Sequence, residues 1–159
     1  MAYILVAEDE IPINDLICKN LKLLGYKTAQ AFDGPEALGL AEKENFDLVL
    51  LDVMLPGMSG FQVKTRLAKD LSVIFVTAKT SVSDQLTGLN LGAEDYITKP
   101  FDTLVLIARV ENVLRRTKKM MRFLQLKIAL LICQCERFTK TARGLIWLCR
   151  SIIFWRLLF

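Results

Sequence analysis

Short apolar segments alternate along residues 1–119 with longer segments in which apolar residues recur every three or four positions. The short segments are rich in β-branched residues and read as strands, whereas the longer ones have the period of an amphipathic helix. The pattern predicts strands at residues 3–7, 27–32, 47–51, 73–77 and 95–98. It predicts helices at residues 12–24, 35–44, 60–68, 83–91 and 102–116.

Five strand–helix repeats in succession predict an α/β fold with a doubly wound, five-stranded parallel sheet. The run Leu48–Leu51 is apolar on both faces, as expected of a central parallel strand that helices cover on each side. Gly25 and Gly92 stand where helices should end, and Pro12 and Pro35 stand in first helical turns. These residues support the predicted helix limits.

The distribution of charge divides the chain near residue 119. The 159-residue sequence has a formal net charge of +4, which by itself suggests a nucleic-acid or membrane partner. However, residues 1–119 hold 14 basic and 16 acidic side chains, while residues 120–159 hold seven basic and one acidic. We therefore expect one domain at residues 1–118, of the common size of about 100–150 residues, and a separate tail at residues 119–159.

Polar residues that can bind a metal or a phosphate follow the predicted strands. Glu8 and Asp9 follow the first strand, Asp52 the third, Thr77 ends the fourth, and Lys99 follows the fifth. The carboxyl ends of parallel strands meet at one edge of the sheet, so these side chains should converge there. Crowded carboxylates repel one another unless a cation lies among them, and oxygen ligands of this kind suit Mg²⁺. The sequence predicts a magnesium site.

Four segments in this order resemble the receiver domains of two-component response regulators, especially the OmpR/PhoB group. They are residues 4–10, 50–60, 76–79 and 92–101, and the likeness extends from about residue 3 to residue 117. The resemblance implies a flavodoxin-like (βα)5 receiver fold. It also implies a phosphorelay protein that receives a phosphoryl group from a sensor histidine kinase.

Within that resemblance, Asp52 is the expected phosphorylation site. Glu8, Asp9, Asp52 and the backbone carbonyl of Met54 are the expected Mg²⁺ ligands. Glu8 stands where many relatives have a second Asp, and its longer side chain can still reach a metal through water. Because a carboxylate is a poor nucleophile toward phosphorus, the chemistry also calls for cations beside it.

The resemblance assigns the response to phosphorylation to four further residues. Thr77, Ala78 and Lys99 are expected to bind the phosphoryl oxygens, and Tyr96 is expected to turn when Thr77 moves. The surface that changes would be the face made by the fourth helix, fifth strand and fifth helix. In OmpR/PhoB-like receivers this face forms a phosphorylation-dependent homodimer through salt bridges. The matching residues here are Glu94, Asp95, Arg109, Glu111 and Arg115, each of which could instead be an ordinary solvated charge.

Enzymatic readings fit this sequence less well, and we expect no enzyme. A strand that ends in Asp could carry a phosphatase nucleophile, but a haloacid-dehalogenase-type enzyme has a second Asp two residues later, where Met54 stands here. A flavodoxin-like sheet could also bind FMN, yet no glycine-rich phosphate loop follows the first strand. A stand-alone receiver that relays the signal by protein contact alone remains the alternative to a transcription regulator.

Residues 119–159 do not resemble the winged-helix DNA-binding domain that follows in OmpR/PhoB-like proteins, and no independent fold is expected there. One hypothesis is a reading-frame slip. A free back-translation of residues 136–159, read in a shifted frame, gives one string without a stop that resembles the start of a winged helix; the nucleotide sequence is the test. Neither apolar stretch of the tail has the ~20 uncharged residues of a membrane span, and no signal peptide is evident. We expect a cytoplasmic protein that binds DNA only with an output domain.

Overall fold

A computed structural model describes residues 1–79 and 81–117 of the protein. The strands are β1 (Tyr3–Ala7), β2 (Lys27–Ala31), β3 (Leu48–Leu51), β4 (Ser72–Thr77) and β5 (Asp95–Thr98). The helices are α1 (Ile11–Leu23), α2 (Gly34–Lys43), α3 (Gly60–Arg66), α4 (Val82–Asn90) and, in the described part, α5 (residues 103–117). Within the described residues every predicted element is confirmed, and the limits that the structure shows differ from the predicted ones by two residues at most.

The predicted tail at residues 119–159 lies outside the described residues, and its lack of an independent fold stays a prediction. In the part of the chain that the structure describes, no helix is long and apolar enough to cross a membrane.

The five strands form one parallel sheet in the order β2-β1-β3-β4-β5. This is the doubly wound, flavodoxin-like arrangement that the sequence predicts. The winding direction reverses between β1 and β3, which lie side by side with Ala7 opposite Leu51. In such sheets the functional crevice lies beyond the carboxyl ends of the strands at this reversal. The residues that follow β1 and β3 therefore occupy the expected position of a site.

Alternate residues of each inner strand point to opposite faces of the sheet. Ile4 and Val6 of β1 pack into a core cluster with residues of α1 and α5, while Leu5 and Ala7 pack into a second cluster with residues of α2 and α3. All four residues of Leu48–Leu51 are buried. This is the two-sided burial that the unbroken apolar run predicts.

The predicted helix-terminus residues have the backbone that these positions require. Gly25 and Gly92 follow the ends of α1 and α4 with φ of +85° and +80°, in the left-handed region that favours glycine. Pro12 and Pro35 occupy the first turns of α1 and α2, where the missing N–H leaves no hydrogen bond unmade.

Asn14 of α1 joins the ends of two strands. It is fully buried, and its Nδ2 donates to the backbone oxygens of Val6 at 3.3 Å, Glu8 at 3.0 Å and Ala31 at 3.1 Å. Its Oδ1 accepts from the Cys18 thiol at 3.5 Å. Buried carbonyl groups need donors, so one side chain satisfies the backbone where the chain leaves β1 and β2. Asn14 thereby fixes the backbone that carries Glu8.

We expect Asn14→Asp to lower the free energy of unfolding by about 2–3 kcal/mol at pH 7. The substitution turns the amide donor into a carboxylate that faces three carbonyl oxygens. Asn20→Asp is the matched control. Asn20 lies on the same helix, but its Nδ2 donates to an exposed backbone oxygen, that of Leu16 at 2.8 Å. Urea unfolding of both variants is the measurement, and equal losses would contradict the role given to Asn14.

Candidate functional site

Four strands deliver the predicted site residues to one edge of the sheet. Glu8 and Asp52 follow β1 and β3, and the Asp52 amide donates to the Ala7 oxygen at 2.9 Å. Thr77 ends β4, and its backbone oxygen accepts a hydrogen bond of 2.8 Å from the backbone amide of Lys99, which follows β5. These hydrogen bonds extend the sheet ladder past its last paired residues. The side chains are therefore held by the same backbone bonds that form the sheet.

The Lys99 ammonium lies between two buried carboxylates. Its Nζ is 2.6 Å from Oε2 and 2.7 Å from Oε1 of Glu8, and 2.7 Å from Oδ2 of Asp52. Side-chain exposure is 2% for Glu8, 4% for Asp52 and 12% for Lys99, so water does little to stabilise these charges. The more exposed Glu10 lies 3.9 Å away. Removal of one partner from such a buried group leaves an uncompensated charge.

Glu8, Asp9 and Asp52 form an acidic triad whose carboxylate oxygens lie within 4.8 Å of one another. When ionised they carry three negative charges, and Lys99 offsets one of them. The remaining two match a divalent cation, and oxygen donors alone suit Mg²⁺. The exposed Asp9 leaves the triad open to solvent. The Met54 amide donates to Oδ1 of Asp52 at 2.8 Å, which brings the backbone of Met54 next to the triad.

Burial and the shared hydrogen bonds together determine the pKa values of Glu8 and Lys99. It raises the pKa of Glu8, an effect that the charge of Asp52 increases and the bond to Lys99 opposes. For Lys99, burial would lower the pKa, but the hydrogen bonds to Asp52 and Glu8 together outweigh it, and the pKa is raised. The lysine is therefore charged at neutral pH and remains a permanent cation of the site.

Lys79 connects the two residues predicted to act as a switch pair. Its amide donates to Oγ1 of the buried Thr77 at 3.4 Å, and its carbonyl accepts from the hydroxyl of the half-buried Tyr96 at 3.0 Å. Ala78 lies exposed between Thr77 and Lys79. Thr77 and Tyr96 are thus joined through one residue of the turn after β4.

The predicted dimer face has two charges that pair within the chain. Nη1 of Arg109 lies 2.9 Å and 2.7 Å from the two carboxylate oxygens of Asp95, so α5 and β5 are linked. Glu94, Glu111 and Arg115 are exposed. The structure therefore places all five residues on β5, α5 or the turn before β5, but their predicted pairing across a dimer stays a prediction.

Two glycines pack directly against the backbone of the segment after β3, a contact that the sequence did not predict. A Cβ on Gly60 would lie 2.1 Å from the carbonyl oxygen of Asp52, and one on Gly34 would lie 2.1 Å from that of Met58. Any side chain at either position would displace backbone. The sequence shows both glycines, but only the folded chain shows that the backbone of the acidic residue packs directly on one of them.

We expect Lys99→Met to destabilise the metal-free protein at pH 7 by about 3–5 kcal/mol, because Glu8 and Asp52 lose their shared cation. The pKa of Glu8 should rise further. A carboxyl group whose pKa is higher in the folded than in the unfolded protein destabilises the fold as pH rises from the unfolded pKa through the folded pKa. The loss of unfolding free energy in Lys99→Met should therefore become smaller as pH falls toward 5.

Lys79→Met is the control for this test, because the Lys79 ammonium lies 3.6 Å from Asp84 in an exposed pair. Such pairs contribute about 0–1 kcal/mol. Urea unfolding of both variants between pH 5 and 8, without divalent ions, is the measurement. A deficit of Lys99→Met that does not change with pH would contradict the ion-pair assignment.

Residues 4–111 match the family described as the response regulator receiver domain. Among solved structures, the chain is 36% identical to the receiver domain of a Francisella response regulator, with a TM-score of 0.70 over 74% of this chain and 99% of that one. A CheY-like receiver domain protein from Methanospirillum hungatei JF-1 is 30% identical, with a TM-score of 0.73 over 76% and 98%. The BeF3-activated receiver domain of DrrB is 32% identical, with a TM-score of 0.67 over 72% and 98%.

The family match covers more than half of the chain, and the similar receiver domains align over nearly their whole length. The triad of Glu8, Asp9 and Asp52 is typical of the Mg²⁺ site in such domains. The chain therefore belongs to the response regulator receiver family of two-component signalling, as a signalling module rather than an enzyme.

Proposed function

We propose that Asp52 accepts a phosphoryl group from the phosphohistidine of a sensor histidine kinase. The bond from an Asp52 oxygen to phosphorus forms as the phosphorus–nitrogen bond breaks, and the leaving imidazole takes up a proton. The observation that carries this proposal is the fixation of the Asp52 carboxylate, with Oδ1 on the Met54 amide and Oδ2 on Lys99. A fixed nucleophile beside a cation is what phosphoryl transfer requires.

Mg²⁺ is the proposed cofactor, with Asp9, Asp52 and the Met54 carbonyl as direct ligands and Glu8 as a ligand through water. The ion would neutralise the oxygens of the phosphoryl group. The acidic triad supports this set, because when ionised and paired with Lys99 it has two negative charges, which one divalent cation would neutralise. Glu8 is already bonded to Lys99, which favours an indirect role for it at the metal.

We propose that Thr77 transmits the effect of phosphorylation to the rest of the domain. Once Asp52 is phosphorylated, we propose that the Thr77 hydroxyl, the Ala78 backbone and Lys99 bind the phosphoryl oxygens. The Lys79 amide now donates to Oγ1 of Thr77, so movement of that hydroxyl also moves the turn that holds Tyr96. The added charge becomes a change in the surface made by α4, β5 and α5.

We propose an OmpR/PhoB-like regulator in the cytoplasm, ancestrally coupled to transcription, with a homodimer that forms on phosphorylation. Residues 119–159 show no winged-helix pattern, so DNA binding by this chain is the point on which the regulator and its alternative differ. The stand-alone relay is the alternative. A gel-shift with promoter DNA separates the two, since retardation by the phosphorylated chain would support the regulator and its absence the relay.

We expect Asp52→Asn to abolish labelling by acetyl phosphate or phosphoramidate in the presence of Mg²⁺, because the amide replaces the nucleophilic oxygen. Asp70→Asn is the matched control, since the exposed Asp70 precedes β4 at the opposite edge of the sheet and should label as the unmodified protein does. Labelling is measured as an acid-stable, base-labile phosphoryl group. Undiminished labelling of Asp52→Asn would overturn the proposed phosphorylation site.

We expect Arg109→Ala to be labelled normally but to lose the phosphorylation-dependent homodimer. The Asp95–Arg109 pair joins β5 to α5 at the proposed interface, and an exposed pair of this kind contributes too little to affect folding. Arg116→Ala, an exposed residue on the same helix, is the control. Sedimentation velocity before and after phosphorylation is the measurement, and a dimer that persists in Arg109→Ala would reject this interface.

A further inference from the structure

Gly88 of α4 is buried, and it lies against two aromatic rings. A Cβ built on it would lie 3.0 Å from Cδ2 of Phe75, 3.0 Å from Cδ2 of Tyr96 and 3.2 Å from Cε2 of Phe75. These distances are shorter than the ~3.5–4.0 Å of ordinary carbon contacts. Glycine within a helix costs about 1 kcal/mol relative to alanine. The close ring contact is a physical reason for a residue that α4 otherwise disfavours.

The two rings belong to an aromatic row between α3 and β5. Phe61 meets Phe75 edge-on, with ring centroids 5.1 Å apart, and Phe75 lies 5.9 Å from Tyr96. Phe75 is fully buried, so it cannot shift without disturbing the core. The Tyr96 ring is thus confined between a fixed ring and the backbone of α4, while its hydroxyl bonds to the Lys79 oxygen at 3.0 Å.

We propose that Gly88 is a positioning residue for Tyr96, because the missing side chain leaves the room in which the ring lies with its hydroxyl on Lys79. The inference rests on the proposed role of Tyr96 in the switch. A methyl group at position 88 meets both rings, and Phe75 is locked in the core. Tyr96 is the partner that gives way, by a few tenths of an ångström, and its hydrogen bond to the Lys79 oxygen in the turn after Thr77 is weakened.

The test compares two glycine-to-alanine substitutions within helices. Gly88→Ala adds a methyl group against the rings, whereas Gly39→Ala adds one on α2 where no atom lies within 4 Å. Both remove the same helix penalty, so only the ring contact differs. The full chain, labelled with 3-fluorotyrosine, gives a ¹⁹F signal for each of its three tyrosines, and Tyr96→Phe identifies the one of interest.

We expect Gly88→Ala to shift the Tyr96 signal, because the ring and its hydrogen bond to Lys79 are displaced, and to leave the Tyr3 and Tyr26 signals in place. Gly39→Ala should move none of them. An unmoved Tyr96 signal in Gly88→Ala, or an equal shift in Gly39→Ala, would overturn the inference. Phe75→Leu makes room for the methyl group, so adding Gly88→Ala to Phe75→Leu should move the Tyr96 signal much less than Gly88→Ala moves it when Phe75 is present. Equal shifts in the two backgrounds would also count against the inference.

This outcome is independent of the proposed phosphorylation. If Asp52 does not accept a phosphoryl group but Gly88→Ala still moves the Tyr96 signal, the proposed function fails and the positioning role stands. If Asp52 is labelled and the Tyr96 signal does not move, the positioning role fails alone. When both hold, phosphorylation should move the Tyr96 signal in the unmodified protein and move it less in Gly88→Ala.

Discussion

The site depends on one ammonium group shared by two buried carboxylates. Lys99 contacts both oxygens of Glu8 and one of Asp52, each within 2.7 Å, where side chains are almost closed to water. Buried like charges at this spacing are stable only with a compensating cation. The lysine supplies one unit of charge and leaves the other two of the triad for a metal. The position of Lys99 after β5 is therefore what allows two buried, ionised carboxylates to follow β1 and β3.

The parallel sheet provides that position through its backbone. The strand order places β1 beside β3 and carries β5 at the edge, two positions from β3 and three from β1. Lys99 therefore reaches the carboxylates across the end of β4. Hydrogen bonds beyond the strand ends fix Asp52 to Ala7 and Lys99 to Thr77. Asn14 holds the backbone around Glu8 in the same way. The charged side chains are thus attached to backbone that is itself held by hydrogen bonds. This limits how far the side chains can move apart to reduce their repulsion.

Local patterns were sufficient to predict the fold and the membership of the site. Within the described residues, hydrophobic periodicity located all ten elements to within two residues, because each is a local feature of four to fifteen positions. The convergence of Glu8, Asp52, Thr77 and Lys99 follows from parallel strand ends alone. The partners were not predictable in this way. That Lys99 would bond Glu8 in preference to Glu10, or that Arg109 would pair with Asp95 in its own chain, depends on side-chain geometry across distant segments.

Sequence reasoning also missed the contacts of residues with little or no chemistry of their own. Gly60 and Gly88 matter because backbone or a ring occupies the space of a side chain, and such a contact has no periodic signature. The net charge of the whole chain is likewise a poor guide to its site. The chain as a whole is basic, yet its site has an excess of two negative charges when ionised, and screening limits an exposed charge to about 8 Å at physiological ionic strength. A cation entering between Asp9 and Asp52 therefore responds first to the charges of the triad and Lys99, whatever the net charge of the whole chain.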